Sequence, residues 1–222
     1  EGALLHALSA VQDSLARLAA DLILFSTREF GFVRLPDELT TGSSIMPQKR
    51  NPDVLELVRA RAAVVAGAAE QVRRAAAALP SGYNRDYQLL KGPLLTGFAV
   101  VQESLSIMDR VVATMELDEA ALAASCTREI YAADVALEKA MGGVPFREAY
   151  GQALAELEQI QIDDRFVARR IDAYCTLGSM GNPGLELLAE NLQQLEGWLA
   201  ERRELQRQVQ HALSGPLVLL PG

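Results

Sequence analysis

Aromatic side chains make up only 5% of these 222 residues, and there is a single tryptophan. Sheet-based sandwiches and barrels draw on aromatic and β-branched residues, so the dominance of alanine and leucine favours helices. Cysteine is as scarce: Cys126 and Cys175 lie far apart and match no metal or redox spacing. Both are expected to stay reduced, as small buried apolar residues. The two histidines, His6 and His211, have no candidate ligand beside them, so surface or helix-packing roles are expected and no metal centre is predicted. Basic runs are missing too, and the net charge of -8 argues against nucleic acid or an anionic membrane as partner. No stretch reaches the roughly 18 uninterrupted apolar residues of a membrane span, and a cytoplasmic location is expected. The chain opens on Glu1 in an amphipathic pattern, with neither Met nor a leader. That opening reads as a start in mid-protein.

What is present is ordinary for a globular protein: 50% hydrophobic and 23% charged residues, in a chain long enough for a sizeable core. Residues 3–30 place Leu4, Leu5, Leu8, Val11, Leu15, Leu18, Leu22 and Ile23 on one helical stripe, with Gly31 as the stop. Asn51-Pro52-Asp53 predicts a second helix, with Asn51 as cap and Pro52 in the first helical position, running to about Ala78. A third spans roughly 89–116, with Gly92-Pro93 as a kink or restart. Shorter helices are predicted near 118–125, 128–141, 146–160 and 163–174, and Asn182-Pro183 opens a final one to about 212. There "ERRELQRQ" reads as a solvated face, and the tail "GPLVLLPG" as loose or packed on a neighbour. The fold expected is all-α: a long-helix bundle over 1–116 and a smaller helical domain over 117–222. Helices of about 27 residues span about 40 Å, against a radius of gyration of about 17 Å for a chain of this size. Rods that long, apolar on several faces, call for an oligomeric bundle.

Between the first two helices, "TTGSSIMPQKRNP" at 40–52 is a costly polar break. Gly42 permits close backbone approach, Ser43 and Ser44 add hydroxyls, and Lys49 adds a charge. Asn51 and the helix start at Pro52 bring donors and a partial positive charge to the same place. The loop therefore reads either as an anion site or as a surface turn with a capped helix and a solvated lysine. It is not a Walker A loop, because the Gly42 to Lys49 spacing is wrong and no Ser or Thr follows the lysine. On the residues alone, Glu56 reads as an exposed partner of Arg59. "SGYN" at 81–84 reads as a turn, and Lys91 as a solvated charge.

The stretch "GSSIMPQKRNP" resembles the signature loop of the fumarase/aspartase superfamily, Gly-Ser-Ser-x-Met-Pro-x-Lys-x-Asn-Pro. "EFGFVRLPDELTTGSSIMPQKRNPDVLEL" is similar to the argininosuccinate lyase branch, and "LPSGYNRDYQLLK" at 79–91 resembles that branch's Tyr-Asn-x-Asp-x-Gln-x-x-Lys segment. The resemblance covers 1–175 and, more loosely, the rest. It implies β-elimination of argininosuccinate to arginine and fumarate, in arginine biosynthesis, without metal or organic cofactor. Ser43 is then the base, Lys49 and Asn51 stabilise the carbanion, and Ser44 supports the loop. Glu56 becomes the partner of a histidine from another subunit, while Gln48, Tyr83, Gln88 and Lys91 meet the substrate. The resemblance also implies a homotetramer with sites shared between subunits, the central bundle being built from the long helices. The histidine and the N-terminal substrate loop of the family are absent from these residues, so the 222 residues alone are expected to be inactive. Leu89 and Leu90 stand where relatives commonly carry acidic residues, and "LGSMGNPGLELL" departs from the commonest ending. Another lyase of the superfamily (for adenylosuccinate, aspartate or malate) and a crystallin-like, non-catalytic assembly protein remain as alternatives.

Overall fold

Leucine and alanine spacing closes the first half of the chain into three long rods. The structure, a computed structural model, describes residues 1–42, 45–46, 49–77, 79–159 and 161–214. Helices α1 (Gly2–Phe25), α2 (Asp53–Ala76) and α3 (Lys91–Thr114) each have 24 residues. At one end Ala19 and Leu22 of α1 pack with Leu55 and Val58 of α2 and with Met108 and Val111 of α3. At the other end Leu5 meets Ala68, Val72 and Leu90. The chain thus runs up, down and up, with α2 antiparallel to its neighbours. At Gly97 α3 passes close to α1: a Cβ there would lie 2.5 Å from Leu5 Cδ2.

The expected stripe on α1 is only partly inside. Leu5 and Leu22 are buried, whereas Leu4, Val11 and Leu18 are 51, 40 and 41% exposed. The apolar arc is wider than two neighbouring helices can cover. The helix also stops at Phe25 instead of running to 30. Ser26 and Thr27 donate their hydroxyls to Ile23 O and Leu24 O at 2.9 and 2.7 Å, and Gly31 turns the chain at φ +61°. Phe25, Phe30 and Phe32 then gather with ring centroids 5.4–6.2 Å apart, Phe30 standing edge to face with each of the other two.

Two short ladders, which no periodicity in the sequence signals, organise this end. Strand β1 (Val33–Arg34) pairs antiparallel with β4 (Glu116–Leu117), tying the exit of α3 to the loop after α1. Strand β2 (Thr41–Gly42) pairs antiparallel with β3 (Arg50–Asn51) and closes the polar loop at its base. Asn51 is therefore paired with Thr41 in a ladder and is not the helix cap. Pro52 takes the cap position, at φ -80°, with no side-chain cap bond. The third helix begins at Lys91, after a 3₁₀ turn over Arg85–Leu90. Pro93 lies in its first turn, where no backbone donor is needed, so no kink is required.

The chain divides into two compact units, Glu1–Cys126 and Thr127–Gly222. The break falls beyond the 116/117 division expected from sequence, because β4 and α4 (Glu119–Ser125, capped by Asp118) stay with the first unit. In the second unit a 3₁₀ turn, Arg128–Tyr131, leads into α5 (Ala132–Met141). Helix α6 (Phe146–Ala155) packs on α5 through Ala136, Ala149 and Ala153, all fully buried. Asp163 caps α7 (Asp164–Ala173) by accepting from Phe166 N at 2.7 Å. Arg170 of α7, only 9% exposed, pairs with Glu138 at 2.7 Å and lies over the Phe166 ring. Asn182 caps nothing: its amide donates to Cys175 O at 2.9 Å, and α8 (Leu185–Ser214) begins after Gly184 at φ +75°. Cys126 and Cys175 are both free and exposed, contrary to the expected burial. Each sits in a short, sparsely packed turn that offers no core. The tail from 215 onward lies outside the described residues.

Candidate functional site

Ser43, Ser44 and Gln48 lie outside the described residues. Around them the frame is well defined. The β2–β3 ladder brings Thr41 opposite Asn51, and the Thr41 hydroxyl is hydrogen-bonded to the Asp53 carboxylate in the first turn of α2. Arg50 pairs with Asp37 at 3.2 Å, bracing the ladder from outside. Lys49 N donates to Met46 O at 2.9 Å, and Lys49 is exposed. Asn51 is half-buried one step later, directly before the positive end of α2. Glu56 is exposed on the first turns of α2 and makes no ion pair with Arg59 among the described residues. A recess of about 160 Å³ lined by Val33, Leu35, Arg50 and Pro52 lies at the base of the loop.

The second set is built by another turn. Gly82, at φ +109°, reverses the chain, and Asn84 donates its amide to Pro80 O and Gly82 O at 2.9 and 3.3 Å. That leaves Tyr83 85% exposed. Leu90 is buried against Leu5 and Val72 and pins the following 3₁₀ turn to the bundle. In such a turn residues three apart lie over one another, so Gln88 and Lys91 share one exposed side. Beside this turn opens a cavity of about 750 Å³ lined by His6, Ser9, Glu70, Arg73, Tyr87 and Leu90, among others. Hydrogen bonds from Arg73 and then Arg74 hold the Glu70 carboxyl down to about 2. No motif points to His6 or Tyr87 as cavity walls; the packing of α1 on α2 places the first there, and the 3₁₀ turn after α2 the second.

The two sets are not brought together. One precedes α2 and the other follows it, so the 24 residues of α2 hold them apart by about 36 Å. A single copy of this unit contains two partial constellations at opposite ends of one rod. Among the described residues no group of His, Cys, Asp and Glu is placed to hold a metal ion, and no helix is long and apolar enough to cross a membrane.

Comparison with known proteins matches residues 3–67 to a family described as "Lyase". The argininosuccinate lyase of Sorangium cellulosum is 47% identical over 176 residues, 79% of this chain and 40% of that protein. That of Stenotrophomonas maltophilia is 49% identical over 155 residues, 70% of this chain and 36% of that protein. Among solved structures, a "fumarate lyase:delta crystallin" from Brucella melitensis superposes with TM-score 0.55 at 30% identity, covering 67% of this chain and 35% of its own. The chain thus spans less than half the length of the relatives it matches, and its helical-bundle fold is theirs.

Proposed function

We propose, from the premise that the chain belongs to the lyase family through residues 3–67, that it is part of an argininosuccinate lyase. In the proposed reaction a proton leaves the carbon next to a carboxylate, the C–N bond breaks with its electron pair going to nitrogen, and fumarate and arginine separate. Ser43 takes the proton. An unperturbed hydroxyl is a poor base at neutral pH, so its task depends on the cationic surroundings that Lys49 and the α2 N-terminus supply. Lys49 and Asn51 meet the charge that grows on the carboxylate during proton removal. Fixed donors aimed at such charge are worth about 10²–10³ in rate each. Ser44 and Gln48 complete the loop, and Glu56 orients a histidine supplied by another subunit. Tyr83, Gln88 and Lys91 bind the amino-acid end of the substrate.

The observation that carries this reading is the separation of the two sets along α2. Each presents polar or charged groups to solvent about 36 Å from the other, as expected where a site is completed by other copies. A cytoplasmic homotetramer, with loop and turn meeting between subunits, satisfies that geometry. The test is a substrate panel on the protein that carries these residues, with fumarate release followed by ultraviolet absorbance. Turnover of argininosuccinate alone is expected. Turnover of adenylosuccinate or malate, without argininosuccinate, would overturn the assignment.

A further inference from the structure

Helix α8 is 30 residues long, and none of its residues is buried. Its apolar residues nevertheless keep a strict spacing. Leu188, Leu192, Leu195 and Leu199 follow at alternating steps of four and three, and the same steps lead through Arg202 and Gln206 to Val209 and Leu213. Such spacing is a coiled-coil seam, with Leu192, Leu199, Gln206 and Leu213 in one core position and the rest in the other. The seam leucines are 37–82% exposed, a surface that a folded chain rarely leaves to water. Charge is divided along the same helix. Glu186, Glu190 and Glu196 lie in its first half, whereas Arg202, Arg203 and Arg207 lie in its second beside Glu201 and Glu204, the last paired with Arg207 at 2.7 Å.

We infer that α8 pairs with α8 of a second copy, in antiparallel orientation. The charge pattern selects both the partner and its direction. A parallel pair would set Arg202 against Arg202 inside the seam and align acidic half with acidic half. An antiparallel pair sets Leu188 against Leu213, Leu192 against Val209, Leu195 against Gln206 and Leu199 against Arg202. The Arg202 stem then covers the facing leucine while its guanidinium reaches water, close to Trp198 of its own helix, whose ring it already overlies at 5.3 Å. On one flank Glu196 meets Arg203 of the other copy, twice by symmetry. On the opposite flank Trp198 faces Leu205. No like charges face each other in this register.

The experiment is disulfide trapping in the full chain, with Cys126 and Cys175 first changed to Ser. Leu192→Cys and Val209→Cys are made singly and together, and each variant is checked for an unchanged helical spectrum. Positions 192 and 209 of one helix lie about 25 Å apart, too far to bridge within a chain. The double variant is expected to trap as a covalent dimer under mild oxidation, while each single variant stays monomeric on the denaturing gel. Trapping of the single variants would show parallel pairing. Absence of trapping in all three, as when α8 lies against its own chain, would also overturn the inference. In the double-cysteine background, Glu196→Arg is expected to reduce trapping several-fold, and adding Arg203→Glu to restore it. Failure of that restoration would remove the antiparallel register. Positions 192 and 209 report on α8 alone, so the outcome is independent of the association proposed for the long helices.

Discussion

At the scale of single residues, the polar positions carry the most information. Gln12 is fully buried on α1; its amide donates to Val58 O at 2.9 Å, while its carbonyl oxygen has no partner among the described residues. A buried acceptor left unpaired costs about 1–3 kcal/mol. Gln12→Leu should therefore be neutral or stabilising in thermal unfolding. Gln12→Ala should cost about 2–4 kcal/mol, because it adds a cavity to the lost bond. Ser43 and Lys49 separate differently. In the protein that carries this chain, Ser43→Ala is expected to remove most of kcat with KM little changed, whereas Lys49→Ala should damage both. A near-normal kcat for Ser43→Ala would end its role as base. Ser43 and Lys49 are proposed from the sequence because glycine, hydroxyl and lysine stand in one short motif. Gln12 was not legible there, since a glutamine on a helix reads as solvent-facing until the facing carbonyl is located.

At the scale of elements, the helices were legible and their ends were not. Apolar periodicity marked α1, and Asn-Pro signatures pointed to α2 and α8, but termination depends on local hydroxyl and ladder contacts that neither signal records. The strand pair that removes Asn51 from the cap position is only two residues wide. Near the other end of α2, Glu70 is held by Arg73 and Arg74 at 2.6 Å each. Its carboxyl lies at about 2 in the folded chain against an ordinary 4.5. A depressed carboxyl stabilises the fold above its ordinary value and ceases to do so as pH falls through its folded value. The Glu70 contribution should be complete above about pH 4.5 and gone below about 2. Carbon-detected titration is expected to find this midpoint, and Arg73→Ala with Arg74→Ala to raise it toward the ordinary range. The 3₁₀ turn carries the other prediction. Gln88→Ala should raise KM for argininosuccinate, read from initial rates of fumarate release against substrate concentration.

At the scale of the whole molecule, the outward faces matter more than the core. Leu4, Val11 and Leu18 on α1, Leu57 and Val64 on α2, and Phe98, Leu105 and Val112 on α3 recur every seven residues and are all at least 40% exposed. Each of α1, α2 and α3 thus carries a second apolar stripe that these 222 residues leave uncovered. Light scattering at micromolar concentration should find an oligomer, and Val11→Lys with Leu105→Lys should reduce it to no more than the pair joined through α8, without loss of helical signal. The proposed sharing of sites between chains permits a sharper test. Ser43→Ala lacks the proposed base, and Gln88→Glu would set a negative charge against the proposed carboxylate substrate, so each variant of the full protein should be nearly inactive. After the two are unfolded together and refolded at equal amounts, the result depends on where a site draws its parts. If loop and turn come from different chains, about a quarter of the sites receive an intact copy of both, by independent assortment within the oligomer. About a quarter of wild-type activity should then return. If loop and turn came from one chain, every site would keep one lesion and nothing would return. The length of α2 already argues for the first outcome, because a helix of 24 residues cannot fold back to bring its two ends to one substrate.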